Sequence, residues 1–513
     1  MTTVEPHSRA SRRGPRRPSF LFILTDDQGP WAVPWRMPEL RMPHLAQLAR
    51  EGVVFDSFYC ASPVCSPARA SLLTGRMPSA HGIHDWLVGT EHPQARPDQY
   101  LEDIATLPAV LSGAGYVCAL SGKWHVGEAR HPAAGFSSWY AHRFGGGPYY
   151  EAPIWQDERQ ATESEYFTDA VGRHAVDFLR AHAHERGEGE DRPFYLQVCP
   201  TAPHTPWDED NHPHELLDLY KDCDFPSVPR EPAHPWTLPR QEDFADSFAD
   251  PDQSLRGYCA SLSGVDRLVG LLREELESLG LAQETIILYM SDNGFSCGHH
   301  GIWGKGNGTY PLNMWENSVS VPFVMYVPEA LRGHVGPAGL PGAGAHVTHN
   351  LSALSFFPTV CELASVSAPT DPLRAGTSFL PWLSGDRQKS GDQEVVVYDE
   401  YGGTRMIRRE RWKYVLRFEG PEELYDLQED PQERHNLAQD PTLAPMRQRL
   451  RDQLEDWFDR HETARSRAFE QPVTGWGQIH PTWRREEAQR YVPEPLVTST
   501  STASPPDADD AMG

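Results

Sequence analysis

Long apolar runs are missing from this 513-residue chain. Nothing approaches the roughly 20 consecutive apolar residues of a membrane-spanning helix, so no membrane association is expected. Positive charge is scarce as well: 46 Lys and Arg stand against 72 Asp and Glu, a formal charge of −26. No basic stripe stands out, which argues against nucleic acid as a partner. The same acidity disfavours long polyanions as substrates, although screening over about 10 Å lets a local positive pocket work inside an acidic protein. Closely spaced cysteine pairs are absent. The eight cysteines (60, 65, 118, 199, 223, 259, 297 and 361) show neither zinc-type spacing nor a dense disulfide framework. No internal repeat is found. Arg12-Arg13 and Arg16-Arg17 precede an apolar stretch of only five residues, Phe20 to Leu24, that runs straight into Thr25-Asp26-Asp27. This start reads as a basic tail before a first strand and not as a twin-arginine export signal, and a cytoplasmic location is the expectation.

What is present suits a large globular fold: 39% apolar residues, 15 Trp, and a length that suggests more than one folding unit. Four short apolar runs read as strands buried on both faces of a parallel sheet, at 20–24, 116–120, 194–198 and 285–290. Each ends in polar residues. The first leads into Asp26-Asp27, the second into Ser121-Gly122-Lys123-Trp124-His125, the third into Cys199-Pro200-Thr201-Ala202-Pro203-His204 and the fourth into Ser291-Asp292-Asn293-Gly294. If the four strands are parallel neighbours, all these ends lie on one edge, where ligand sites of open α/β sheets form.

Helical periodicity is read at 43–51, 168–183, 260–279 and 351–364, and further strands at 52–55 and 321–327. The stretch 205–251 shows no helical period and reads as a long surface excursion that shapes substrate access. Gly298 to Gly306 is a glycine-rich loop carrying Lys305, whose glycines let backbone and lysine approach an anion. Past residue 385 the texture changes to short strands at 395–399, 404–407 and 412–418, followed by a closing helix at 443–458 whose Pro445 is tolerable only in the first turn. The expected fold is α/β: a large, mostly parallel central sheet flanked by helices, with a smaller C-terminal antiparallel sheet plus helix. The expected organisation is a disordered basic tail (1–17), a main domain (18–385), a small α+β subdomain (386–470) and an extended tail (471–513), disordered at its end.

The stretch Val64-Cys65-Ser66-Pro67-Ala68-Arg69 through Leu72-Leu73-Thr74-Gly75 organises the rest. Ser66 suits a helix N-cap, Pro67 the first helical position and Gly75 a left-handed C-terminal cap. Cys65 is thus expected just outside a helix N-terminus, an end that attracts anions, with Arg69 adding a fixed positive charge on the same face. From these residues alone Cys65 reads either as a small buried apolar side chain or as a thiolate nucleophile activated by the helix end.

Cys-Ser-Pro-Ala-Arg followed by Leu-Leu-Thr-Gly-Arg resembles the signature of the type I sulfatases, in the alkaline phosphatase-like superfamily. The resemblance extends over roughly residues 19 to 440 through the early Asp26-Asp27, Lys123 and His125, His204, Asp292-Asn293 and Lys305, all in order. Leu424-Tyr425-Asp426-Leu427 through Asn436-Leu437 resembles the family's C-terminal turn. One departure is Ser320, where many relatives carry Arg before Val-Pro.

This resemblance implies that residues 18–385 are the catalytic domain of a sulfuric ester hydrolase. It further implies that Cys65 is oxidised to formylglycine by a formylglycine-generating enzyme. Asp26, Asp27, Asp292, Asn293 and the modified residue 65 would bind one divalent ion. Hard oxygen ligands suit calcium, with magnesium as the lesser choice. Arg69, Lys123 and Lys305 would neutralise sulfate charge, His125 would partner the diol of hydrated formylglycine, and His204, with Lys305, would protonate the leaving oxygen. His299, His300 and Trp303 are left between pocket and packing. The implied substrate is a small organic sulfate, above all a sulfated carbohydrate. A phosphonate or phosphate ester hydrolase is the alternative, although such relatives carry Asp-His where this chain has Asp292-Asn293. An inactive protein that binds sulfated ligands is the second alternative.

Overall fold

The computed structural model describes residues 17–88, 100–156, 158–187, 189, 192–237, 242–333, 340–383, 393–399, 403–470, 477, 478 and 483. Of the expected basic tail at 1–17 all but Arg17, and with it residues 497–513 and the boundary near 385, lie outside these residues. The central sheet has ten strands: β1 (Ser19–Thr25), β2 (Val53–Phe55), β3 (Val117–Lys123), β4 (Phe136–His142), β5 (Ala152–Gln156), β6 (Arg159–Glu163), β7 (Phe194–Cys199), β8 (Thr285–Ser291), β9 (Phe323–Tyr326) and β10 (Ala345–Val347). Their spatial order is β10-β2-β9-β8-β1-β7-β3-β4-β5-β6. The four neighbours β8, β1, β7 and β3 all run parallel, as does β4 beside them, whereas β9 and β5 run antiparallel to their partners.

Alternation along β1 explains why its sequence is apolar throughout. Phe20, Phe22 and Leu24 enter one core, Leu21 and Ile23 the other, as for a strand covered on both faces. Helices α1 (Pro43–Glu51), α2 (Cys65–Thr74), α3 (Phe167–Gly187), α4 (Pro251–Ser278) and α5 (Phe356–Leu363) supply the cover. Leu45 of α1, Leu179 of α3 and Leu262 of α4 share the core of Leu21, while Leu72 of α2 and Phe356 of α5 share that of Phe22.

The C-terminal sheet is antiparallel in the order β11 (Val395–Asp399), β12 (Thr404–Arg409), β13 (Trp412–Arg417), β14 (Glu423–Asp426), covered by α6 (Ala444–His461). Leu424 to Asp426, read as a turn, form most of the fourth strand, because their main chain pairs with β13. Buried Lys413 ties this sheet to the main body: its Nζ lies 3.0 Å from Glu316 and 2.6 Å from Glu433. Burial, with the charge of Glu316, holds Glu433 up to about 7 despite that lysine. Replacing Lys413 by Met leaves the buried Glu433 carboxylate without its cation, while Glu316, a quarter exposed, keeps the Tyr59 hydroxyl, so denaturant unfolding near pH 8 should show a loss of about 3–5 kcal/mol. A folded-state pKa raised this way favours the native state at low pH, and without Lys413, which lowers it, Glu433 takes up its proton already above 7, so the loss should shrink as pH falls from there.

Three further expectations need correction. The stretch 205–251 is not irregular throughout, since it contains short helices at His214–Leu217 and Glu242–Ala249, and Leu217, Tyr220 and Phe225 are buried in the core of α3 and α4. Pieces of one or two turns are too short to show a period. Helix α4 begins at Pro251, not near 260, with the Asp250 side chain accepting from Gln253 N–H at 3.1 Å. The helix expected from 351 starts at Phe356, after a short strand at Leu351–Ser352 and a 3₁₀ turn.

Candidate active site

At the carboxyl edge of the parallel strands the chain turns sharply. Asp26 and Asp27 follow β1, Lys123 closes β3, His204 follows β7 and Asp292-Asn293 follow β8. Asp27 and His125 both take left-handed backbone, with φ of 66° and 54°, a conformation that costs an L-residue about 1–2 kcal/mol and concentrates at functional sites. Tyr258 holds the Asp27 turn: its hydroxyl donates to the Asp27 carbonyl at 3.0 Å and accepts Gly29 N–H at 3.1 Å.

Helix α2 carries Cys65 to the same edge, but starts two residues earlier than expected. Val64 is extended and Cys65 is the first helical residue, so Ser66 lies inside the first turn and does not cap it. Its hydroxyl instead accepts Leu87 N–H at 3.0 Å. Gly75 ends the helix in left-handed backbone (φ 69°), as read from the sequence.

All the residues singled out, His125 excepted, are linked by direct contacts. Lys123 Nζ meets Asp26 Oδ2 at 2.5 Å, and Lys305 Nζ lies 2.5 Å from Asp27 Oδ1 and 2.7 Å from Cys65 Sγ. Arg69 donates from Nε to Asp292 Oδ2 at 2.8 Å and from Nη1 to the Lys123 carbonyl at 3.1 Å. Asn293 Nδ2 donates to Asp27 Oδ1 at 2.7 Å. His204 Nε2 stands 3.8 Å from Asp27 Oδ2, and its Nδ1 is 2.8 Å from the Thr205 carbonyl, so Nδ1 carries the proton. His125 Nε2 faces the Leu87 carbonyl at 3.1 Å, which places its proton there and leaves the buried Nδ1 as an acceptor with no partner. Burial, with the charges of Lys123 and Arg69, holds His125 well below the usual imidazole range, so it is neutral.

Burial, followed by the charge of Asp26, pushes the Cys65 thiol up against the pull of Lys123 and Lys305. An unmodified thiol here stays protonated near neutrality, contrary to an activated thiolate. Burial works against the charge of Lys305, but Asp27, Cys65, Asp26 and Asp292 outweigh it and hold the ammonium well above its ordinary range.

The donor set fits a hard cation. Ligand atoms of Asp26, Asp27 and Cys65 all lie within 4.8 Å of one another. Asp26 Oδ1 and Asn293 Oδ1 are buried oxygens with no hydrogen-bond partner among the described residues, a costly state that a divalent ion relieves. Asp292 Oδ1 accepts Asn293 N–H at 2.8 Å, which orients the pair.

Other residues fall outside this cluster. Trp303 is buried against Trp207, His300 stacks on Trp315 at 4.4 Å, and His299 packs on Trp31 at 4.8 Å. Ser320 is buried with its carbonyl behind Gly294, where a β-carbon would come within 2.6 Å of it. Three features were not read from the sequence: the Leu87 carbonyl on His125, the Tyr149 hydroxyl donating to the His204 carbonyl at 2.7 Å, and the run Gly145-Gly146-Gly147 beside both histidines. Only the last left a signal, three glycines in a row two residues after a strand ends.

Comparison with known proteins identifies the family. Residues 18–366 match the family model described as sulfatase, and residues 298–460 match that described as N-sulphoglucosamine sulphohydrolase, C-terminal. The choline-sulfatase of Rhizobium meliloti is 29% identical over 458 residues, with 83% of each chain covered. The N-acetylglucosamine-6-O-sulfatase of Bacteroides thetaiotaomicron is 25% identical over 518 residues, with 86% of each covered. A solved structure of a protein in complex with its substrate, D-glucosamine-2-N,6-O-disulfate, superposes with a TM-score of 0.69 at 23% identity, covering 87% of this chain and 98% of that one.

Proposed function

Because the chain belongs to the sulfatase family it is a sulfuric ester hydrolase, and we propose that it acts on a small sulfated carbohydrate through a formylglycine made from Cys65 and one bound calcium ion. The observation that carries this reading is the convergence of Asp26, Asp27, Cys65 and Asn293 around buried, unpartnered oxygens. Hydrated formylglycine supplies two hydroxyls on one carbon, one to attack sulfur and one whose collapse back to the aldehyde releases sulfate. Calcium, held by Asp26, Asp27, Asp292, Asn293 and residue 65, would supply charge that polarises a sulfate oxygen.

The chain's own residues do the rest. Arg69, Lys123 and Lys305 form a prearranged positive wall around residue 65, fixed by their carboxylate partners, so little reorganisation is needed as charge develops. His125 Nδ1, a lone-pair acceptor, takes a hydrogen bond from a diol hydroxyl. His204 is the proton donor to the leaving oxygen. Its side chain is 25% exposed where Lys123 and Asp26 are fully buried, so it faces the mouth through which the alcohol departs. With its Nδ1 proton committed to the Thr205 carbonyl, Nε2 is the nitrogen from which it delivers the proton.

Proton donation of this kind contributes about 10²- to 10⁴-fold. A sugar alkoxide needs that proton and a nitrophenolate does not. His204→Ala should therefore lose about that factor on a sugar sulfate and far less on nitrophenyl sulfate. Equal losses would assign His204 to sulfate binding. The class reading is tested by parallel assays on sulfated mono- and disaccharides, choline sulfate, aryl sulfates and an aryl phosphonate. Sulfate release with preference for a sugar ester is expected. Preferential turnover of the phosphonate would point to the alternative hydrolase, and the absence of any turnover to a binding protein.

A further inference from the structure

Three histidines crowd the open side of the site, and the segment opposite them is Gly145-Gly146-Gly147. A β-carbon at position 145 would come within 2.5 Å of Nε2 and 2.6 Å of Nδ1 of His125. One at 146 would lie 2.7 Å from both Cε1 and Nδ1 of His204. Real β-carbons do not approach other atoms so closely, so each glycine backbone lies flat against an imidazole face. At Gly147 a β-carbon would make only ordinary contact, 3.6 Å from Cε1 of His142, but the φ of 150° is one that L-residues rarely adopt. Neither Gly145 nor Gly146 has positive φ, so the rings, and not the backbone conformation, exclude side chains there.

This segment is anchored at both ends. On one side His142 Nδ1 sits 2.9–3.0 Å from the main chain of Phe144, and Arg143 N–H donates to the Pro153 carbonyl at 2.9 Å. The Arg143 guanidinium also covers the rings of Phe144 and Trp155 at 5.0 and 5.4 Å. On the other side Tyr149 is fully buried. Its N–H donates to Asn211 Oδ1 at 3.0 Å, its carbonyl accepts Phe167 N–H at 2.7 Å and its hydroxyl donates to the His204 carbonyl. A glycine strap held at both ends cannot retreat, so an added methyl must move the rings.

We propose that Gly145-Gly146-Gly147 is a positioning strap that clamps the His125 ring against the Leu87 carbonyl and the His204 ring beside Asp27, fixing where the leaving-group proton is delivered. The inference rests on the role assigned above to His204, and its test is arranged to separate the two. A misplacement of about 1 Å costs on the order of 10²-fold, so Gly146→Ala should lose about that much in kcat on a sugar sulfate and under about tenfold on nitrophenyl sulfate. A purely structural defect would lower both alike.

The decisive comparison is Gly146→Ala in the His204→Ala background, where the obstructed ring is gone. The second substitution should then cost nothing further, and a variant that fails to fold alone should fold in the pair. Gly113→Ala, at a helix end where a β-carbon meets no atom within 4 Å, is the control and should match the parent in rate and melting temperature. Equal losses on the two substrates, or losses that add in full to those of His204→Ala, would overturn the strap. Should His204→Ala alone show no dependence on the leaving group, the proton-donor role falls. The strap is then judged by the cycle: coupling upholds it and additivity overturns it.

Discussion

Cys65→Ala should abolish turnover, with a fall on the order of 10⁶-fold in kcat, the scale on which removing a nucleophile that acts as one unit with its neighbours is felt. The fold should survive. Residue 65 is the first residue of α2, and among the described residues its thiol makes a hydrogen-bond contact with Lys305 at 2.7 Å and a long one with Asp27 at 3.9 Å. Cys65→Ser sharpens the expectation. A serine hydroxyl can attack sulfur and expel the alcohol, but it has no second hydroxyl on the same carbon to push sulfate out. One equivalent of alcohol should be released and turnover should then stop, with the peptide containing residue 65 gaining the mass of one SO₃. Steady turnover by the serine variant would show that release does not need the paired hydroxyls.

Asp292→Asn should lose metal binding and activity together, the latter by at least about 10³-fold, since several kcal/mol of charge stabilisation at the sulfate oxygens would go with the proposed ion. It should also melt earlier. Asp292 Oδ2 is the carboxylate partner of the fully buried Arg69 at 2.8 Å, and breaking such a pair costs about 3–5 kcal/mol. Asn293→Ala separates the two effects, because it removes the unpartnered Oδ1 and leaves Arg69 paired. Metal content by mass spectrometry should fall in both variants, whereas the large loss of melting temperature should appear only in Asp292→Asn. Full activity after exhaustive chelation of the parent protein would contradict the site.

How far the sequence could be read follows from the range of each signal. The apolar runs leading to Asp26, Lys123, His204 and Asp292 were legible as buried strands because a strand covered on both faces admits few polar residues. Their being parallel neighbours put four separate stretches on one edge. The start of α4 was missed although Asp250-Pro251 is a good capping pair, because the apolar stripe becomes regular only later. The cap falls two residues before Ser66, at Val64, and the Ser66 hydroxyl is taken by Leu87 N–H from outside the helix. Contacts of this kind have no local signature. The same holds for the Leu87 carbonyl that orients His125 and for Tyr149 under His204, where main-chain groups and remote side chains do the positioning.

The central claim is that residue 65 works as an aldehyde hydrate and not as a thiol. The most direct test is the mass of the peptide containing residue 65, measured on preparations converted to different extents and set against their rate of sulfate release. The account predicts an aldehyde at position 65 and a rate proportional to the converted fraction, extrapolating to zero. Full sulfate release from protein whose residue 65 is entirely unmodified cysteine would contradict it.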